Sequence, residues 1–106
     1  MESRLAILRE LKRSLESSLG NQLVSAVLFG SMARGDYNDD SDVDVAVIVH
    51  GLTRALKHQI LDKVAELELQ HDMPLSILLL SEEEFNRLKK RERRIVLDIE
   101  REGIPL

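Results

Sequence analysis

Residues 28–47 read LFGSMARGDYNDDSDVDVAV, and they place five aspartates directly after an apolar run and a glycine-serine pair. Side chains alternate along a strand, so Asp42 and Asp44 are expected to share one face of the strand that begins there. The valines at positions 43, 45, 47 and 49 face the other way, where a covering helix would bury them. Two unpaired carboxylates side by side repel each other, and a divalent cation bound between them relieves the repulsion. The stretch therefore predicts a strand with one apolar face and a magnesium site at the start of the other.

The composition predicts one small domain that spans residues 1–106. The chain has 43% hydrophobic residues and no cysteine, so any metal would be held by oxygen or imidazole ligands. No apolar run approaches the roughly 20 residues that a membrane span needs, and the amino terminus lacks the order of a signal peptide. We therefore expect a soluble, cytoplasmic protein without a membrane partner. A net charge of -4 and 3% aromatic residues argue against direct nucleic-acid binding.

Hydrophobic periodicity predicts three strands and three helical segments. Apolar residues at helical spacing mark helices near 5–19 and 56–67, the second of which must end before Pro74. Short apolar runs at 23–29, 43–49 and 75–80 indicate strands. Ser81 and Glu84 match the capping-box pattern and open a third helical segment, in which the charged residues 89–94 predict a kink or a break. This order predicts an α/β (α+β) fold, a small mixed sheet of about three strands covered by helices.

The sequence does not match two familiar motifs that bind phosphate or metal. Residues 30–35 have the spacing of a Walker loop, but Asp36 occupies the lysine position and would repel phosphates. Positions 36, 38 and 40 match the first ligands of a calcium-binding EF-hand loop. Ser41, however, replaces the glycine of that loop, and Val47 replaces its bidentate glutamate.

The glycine-serine pair instead predicts a phosphate cradle beside the metal site. Gly30 lets the backbone approach a ligand closely, and amides and the Ser31 hydroxyl at the start of a helical turn can hold a phosphate. Arg34 would neutralise that phosphate, or it is an exposed surface arginine. Tyr37 would stack on a base or ribose, or it is an exposed turn residue. The aspartates at 36, 39 and 40 are expected to solvate the turn.

Gly30-Ser31, ten further residues and Asp42-Val43-Asp44 together resemble the mark of the polymerase-beta-like nucleotidyltransferase superfamily. The fuller form GSMARGD...SDVDVAV resembles the minimal nucleotidyltransferases of bacteria and archaea, and LLLSEEEF and IVLDIEREGIPL resemble the close of that domain. The resemblance covers nearly the whole chain and implies the polymerase-beta-like nucleotidyltransferase fold. It also implies that the Asp-x-Asp pair holds two Mg²⁺ ions against ATP or another nucleoside triphosphate, while Gly-Ser and nearby residues contact the phosphates.

The same resemblance implies a partner and a reaction. Minimal members are frequently encoded with a HEPN-domain ribonuclease toxin, which they inhibit and in some cases modify by attaching AMP to a tyrosine. The reaction expected from the resemblance is in-line attack of a hydroxyl on the α-phosphate of ATP, with pyrophosphate leaving. The basic run 85–94 is either a solvated face that pairs with its own acids, such as Glu83 with Arg87, or a face for an acidic protein partner.

The chain departs from the family where a third carboxylate is expected on a later strand. In PLSILLLS the equivalent position is Ser76, which adds no charge to a second metal site and is no base near pH 7. Asp72 could substitute if its loop turned inward, and otherwise it is an exposed loop residue; the same two readings apply to His71. Two hypotheses follow: a magnesium-dependent enzyme that adenylylates a toxin, and a weakly active or inactive relative that neutralises the toxin by binding.

Overall fold

The computed structural model describes residues 2–36, 38 and 42–106, which form one sheet with helices on both faces. In chain order the elements are α1 (Glu2–Leu19), β1 (Leu23–Phe29), α2 (Ser31–Arg34), β2 (Val43–Val49), α3 (Arg54–His71), β3 (Leu75–Ser81), α4 (Glu82–Lys90), α5 (Arg94–Glu102) and β4 (Ile104–Pro105). No helix within the described ranges combines the length and the apolar character that crossing a membrane requires.

The sheet is mixed, and its strand order is β3-β2-β1-β4. β1 and β2 are antiparallel, whereas β2 and β3 are parallel and are joined by the crossover helix α3. The predicted fold class and the three predicted strands are therefore confirmed. The parallel pair matters for the site, because it places the amino-terminal ends of β2 and β3 side by side at one end of the strands.

The fourth strand corrects the expectation of about three strands. β4 has two residues and pairs antiparallel with Val27 and Leu28 of β1. Such a short strand has no alternating pattern that a sequence could reveal. Gly103 makes the approach possible, because a Cβ at that position would collide with the Ile99 carbonyl oxygen and with the Val27 side chain.

Two apolar clusters hold the helices against the two faces of β2. The predicted inward valines of β2 are fully buried, in a cluster that includes residues of α1 and α3. The opposite face differs from the expectation of a merely acidic start, because Ala46 and Ile48 are also buried there, against Ile99 of α5. β2 is therefore covered on both faces beyond its first residues, and the acidic residues lie where that cover ends.

Helix boundaries follow the signals in the sequence. α3 ends at His71, and Asp72 adopts the left-handed conformation before Pro74. The predicted capping box forms, because the Ser81 hydroxyl accepts from the Glu84 amide at 3.1 Å while the Glu84 carboxylate accepts from the Ser81 amide at 3.4 Å. The predicted interruption within 89–94 is a complete break, which separates α4 from α5.

Candidate active site

The three sequence segments that were predicted to carry the chemistry meet at one end of the strands. The strand register places Asp44 opposite Phe29, the last residue of β1, and also opposite Ser76 of β3. Gly30 and Ser31 directly follow Phe29, and Asp42 directly precedes β2. The carboxyl end of β1 and the amino-terminal ends of β2 and β3 thus bring together the predicted glycine-serine pair, the aspartate pair and Ser76.

Gly30 packs directly against the Asp44 carboxylate. Its φ of 73° and ψ of -153° lie in a region that is essentially restricted to glycine. A Cβ built on Gly30 would collide with Asp44 Oδ2 and would lie 3.2 Å from Asp44 Cγ. Glycine is therefore needed at this position both for the backbone conformation and for the space that the carboxylate occupies.

The predicted helical turn after Gly30 is present as α2. The Arg34 amide donates to the Gly30 carbonyl at 3.1 Å, and the Gly35 amide donates to the Ser31 carbonyl at 2.9 Å. The turn ends at Gly35, which is left-handed with φ of 82°. The amides at the start of such a turn precede the first intrahelical bond, so they remain available to an acceptor. Gly30, which precedes this turn, packs against Asp44.

The two carboxylates differ in their surroundings. Asp42 is exposed, whereas Asp44 is half-buried. Burial raises the pKa of the Asp44 carboxyl above its ordinary value, and the nearby Asp42 charge raises it further. A hydrogen bond from the Ser76 hydroxyl and the positive charge of Arg34 act in the opposite direction. The pair therefore carries the electrostatic strain that a bound cation would relieve.

Ser76 occupies the position predicted for it, exposed on β3 and facing Asp44. Its hydroxyl lowers the pKa of the Asp44 carboxyl and adds no charge to the site. Asp72 is exposed at the carboxyl end of α3, shortly before the amino-terminal end of β3. His71 is directed elsewhere, because its Nε2 lies 3.2 Å from Glu10 Oε2 of α1. Within the part of the chain that is described, no group of three or more histidine and acidic side chains has the arrangement of a metal site.

Arg34 is engaged by two carboxylates. Its Nε lies 3.2 Å from Asp36 Oδ2, and its Nη1 lies 3.6 Å from Glu102 Oε2 at the end of α5. The hydrogen bond to Asp36 and the charge of that residue, with a smaller effect of Glu102, raise the pKa of Arg34. Sequence reasoning did not identify Glu102, whose proximity depends on the docking of α5 against β1. A phosphate would have to share Arg34 with these carboxylates or displace them.

Two further predictions on surface residues have different outcomes. The basic run contains an ion pair of Lys89 Nζ with Glu100 Oε2 at 2.9 Å, and not the suggested pair of Glu83 with Arg87. The run therefore pairs in part with α5. Tyr37 lies outside the described residues, as do the turn residues Asp39, Asp40 and Ser41.

Comparisons with known proteins found a matching domain family and similar relatives. The family described as a nucleotidyltransferase domain matches residues 8–103. Two relatives from Methanocaldococcus jannaschii are each named "Putative protein adenylyltransferase". One is 36% identical over 73 residues, 68% of this chain and 74% of the relative, and the other is 29% identical over 80 residues, 76% of each chain.

Two solved structures share the fold. The crystal structure of a "putative nucleotidyltransferase" from Sulfolobus solfataricus has a TM-score of 0.57 at 21% identity, covering 98% of this chain and 82% of that one. A toxin-antitoxin crystal structure with AMP-PNP has a TM-score of 0.54 at 20% identity, covering 94% of this chain and 69% of that one. At these identities the likeness concerns the fold alone.

Proposed function

Because the chain belongs to the nucleotidyltransferase domain family, we propose that it transfers AMP from ATP to a hydroxyl group of a protein partner in a magnesium-dependent reaction. The observation that carries the proposal is the contact of Gly30 with the Asp44 carboxylate. This contact joins a turn with available amides to a pair of acidic side chains, so phosphate and cation could be held side by side. The names of the archaeal relatives support a protein as the acceptor.

The donor set fits magnesium. Asp42 and Asp44 offer carboxylate oxygens, which are the ligands that Mg²⁺ prefers, and the burial of Asp44 beside another acid favours binding of a cation. The Ser76 hydroxyl is a neutral third oxygen. Two carboxylates and a hydroxyl suit one ion better than the two ions implied by the sequence resemblance. When bound, magnesium would neutralise phosphate charge and polarise the reacting oxygens.

The residues of the chain would bind and orient the reactants. The amides of the α2 turn and the Ser31 hydroxyl would hold phosphate oxygens, while Arg34 would neutralise phosphate charge once it leaves Asp36 or Glu102. The acceptor oxygen would attack the α-phosphorus, the bond from this phosphorus to the leaving pyrophosphate oxygen would break, and the acceptor proton would pass to solvent. Ser76 cannot take up that proton as a carboxylate would.

The position of Ser76 supports a second candidate function. A site that binds nucleotide but lacks the third carboxylate suits an antitoxin that neutralises a HEPN-type toxin by covering it, with little or no transfer. The toxin-antitoxin structure with AMP-PNP has the same fold, which makes a toxin a reasonable partner to test. Both candidates keep the nucleotide site at least in part, and they differ in whether AMP reaches the partner.

Isothermal titration with a nonhydrolysable ATP analogue in magnesium tests the site. We expect the parent chain to bind and the double variant Asp42→Asn with Asp44→Asn to lose affinity. Asp72→Asn is the matched control, because this acidic residue lies shortly before the amino-terminal end of β3 but outside the pair. Equal binding by the double variant and the parent would show that the site is assigned to the wrong residues.

Co-expression with a HEPN-domain protein, followed by size-exclusion chromatography, tests the partner. We expect co-elution at micromolar concentration, and labelled AMP from ATP then separates the two candidates. Incorporation of label into the partner supports the enzyme, whereas toxin neutralisation without ATP supports the binding antitoxin. Independent elution of the two proteins would remove the toxin partner from both candidates.

A further inference from the structure

Among the residues that the structure describes, β3 leaves one side of its backbone open at the edge of the sheet. It pairs with β2 in an unbroken register from Val43 opposite Leu75 to Val49 opposite Ser81, and it is the outermost strand. Charged residues and proline are the usual protections of an edge strand. The sequence of β3, LSILLLS, contains neither. The other edge strand, β4, consists of an isoleucine and a proline, so it is poorly suited to accept a further strand.

Two glutamates limit the open backbone to a short window. The Leu75 amide donates to Glu68 Oε2 at 3.0 Å, and the Ser81 amide donates to Glu84 Oε1 at 3.4 Å. These amides therefore point away from β2. Backbone direction alternates along a strand, so Ile77 and Leu79 also direct their N–H and C=O groups outward. Between the two capped ends, these two residues offer two donors and two acceptors.

Apolar side chains flank this window on the α3 face of the sheet. Leu61 lies seven residues before Glu68, on the same side of α3, and is exposed. Because Glu68 reaches the Leu75 amide, this flank of α3 is the one turned toward the outer edge of β3. The side chains of Ile77 and Leu79 are half-buried on the same face of the sheet. We call three residues the open edge surface: Leu61, Ile77 and Leu79.

We infer that the open edge surface binds a second copy of this chain, so that two β3 strands pair antiparallel about a two-fold axis at Leu78. In this register Ile77 of each copy is opposite Leu79 of the other. The two donors and two acceptors of each window then form four backbone hydrogen bonds between the copies. Registers centred on Ile77 or on Leu79 would need the amides of Leu75 or Ser81, which are already bonded. The window is thus self-complementary in one register, and the short β4 edge leaves the dimer closed.

The dimer would lie beside the candidate active site. Ser76 would be opposite Leu80 of the second copy, so the open flank of the Ser76–Asp44 pair would be covered by the other chain. The two strands carry no charge, so pairing brings no like charges together within them. Association does not depend on nucleotide chemistry, and its test is therefore independent of the proposed function.

Single cysteines test the register, because the chain has none of its own. Directly opposed residues that do not share hydrogen bonds in an antiparallel pair have Cα atoms about 4.5 Å apart, within the range of about 4.4–6.8 Å for a disulfide. We expect Leu78→Cys to form a covalent dimer under mild oxidation. Ser76→Cys, on the same face, is the control, because the two copies of residue 76 would be about 13 Å apart along the strands. Preferential cross-linking of Ser76→Cys would refute the register.

Sedimentation equilibrium of the full chain, from low to high micromolar concentration, tests the association. We expect a dimer, which Ile77→Pro should weaken by about 10- to 100-fold. Proline lacks the outward amide that would donate to the second copy, and that amide forms no bond to β2. Leu61→Lys, at an exposed position of α3, should also weaken it, whereas Ile95→Lys on α5 should not. Circular dichroism confirms that each variant is folded. A monomer at all concentrations, or a dimer that both Ile77→Pro and Leu61→Lys leave unchanged, overturns the inference.

Discussion

Replacement of Gly30 by alanine should damage the candidate site through a single contact. The added Cβ would collide with Asp44 Oδ2, so the carboxylate must rotate away from the start of α2. Alanine is also poorly tolerated at φ of 73° and ψ of -153°. Gly30→Ala is therefore expected to lower stability and, separately, to lower the affinity for a nucleotide in magnesium.

The two effects have different sizes and can be measured separately. A non-glycine residue in this backbone region costs about 1–3 kcal/mol, and in a domain of this size each kcal/mol lowers Tm by roughly 4–8 °C. Displacing one of two cation-binding carboxylates should weaken binding of the ATP analogue by at least about tenfold, or about 1.4 kcal/mol. Thermal denaturation without ligand gives the first effect, and isothermal titration below Tm gives the second.

Gly35→Ala is the matched control. Gly35 also has a positive φ, 82°, but a Cβ there would meet no atom within 4 Å. This variant should lose about 1–2 kcal/mol of stability while it keeps its affinity for the analogue. If Gly30→Ala binds as the parent does, or if Gly35→Ala loses the same affinity, the contact between Gly30 and Asp44 does not position the site.

Three further changes test the surroundings of Asp44. Ser76→Asp should raise the rate of AMP transfer, by up to about 10²–10⁴-fold if a positioned base was missing, whereas an equal gain in Ser76→Asn would contradict this reason. Glu102→Gln should release Arg34 from one of its two carboxylates and tighten binding of the analogue in titration, with unchanged affinity as the opposing result. Because the pKa of Asp44 is raised in the folded chain, its ionisation opposes folding above the ordinary value of 3.8. Without magnesium, Asp44→Asn should therefore increase the free energy of unfolding at pH 7, and this gain should shrink as the pH falls toward 3.8; denaturant titrations that show a loss at pH 7 would refute it.

Features carried by local patterns could be predicted from the sequence. The alternation of valines with Asp42 and Asp44 predicts that the valine face of β2 is buried, and the structure confirms it. The capping box at Ser81 and the end of α3 before Pro74 depend only on neighbouring residues. The position of Ser76 near the aspartate pair was implied by the family resemblance, and the parallel pairing of β2 with β3 accounts for it.

Features that depend on docking between distant segments could not be predicted. The ion pair of Arg34 with Glu102 forms because α5 ends near α2, and no spacing in the sequence relates these two residues. β4 is too short to show a period, and its pairing requires the close approach that Gly103 allows. The specific contact between Gly30 and Asp44 is a third case, since a glycine-serine pair alone does not show which side chain fills the space beside it.

The antiparallel pairing of β1 with β2 also bears on the order in which the site forms during folding. Gly30 directly follows β1, and Asp44 belongs to the adjacent antiparallel strand β2, so a short loop joins them. Ser76 joins them only after α3 has crossed the sheet. Short loops close at a lower entropic cost than long ones. The contact between Gly30 and Asp44 should therefore already be formed in the transition state for folding, before Ser76 joins the site. Folding kinetics would test this: Val47→Ala should slow folding, whereas Leu79→Ala should mainly accelerate unfolding.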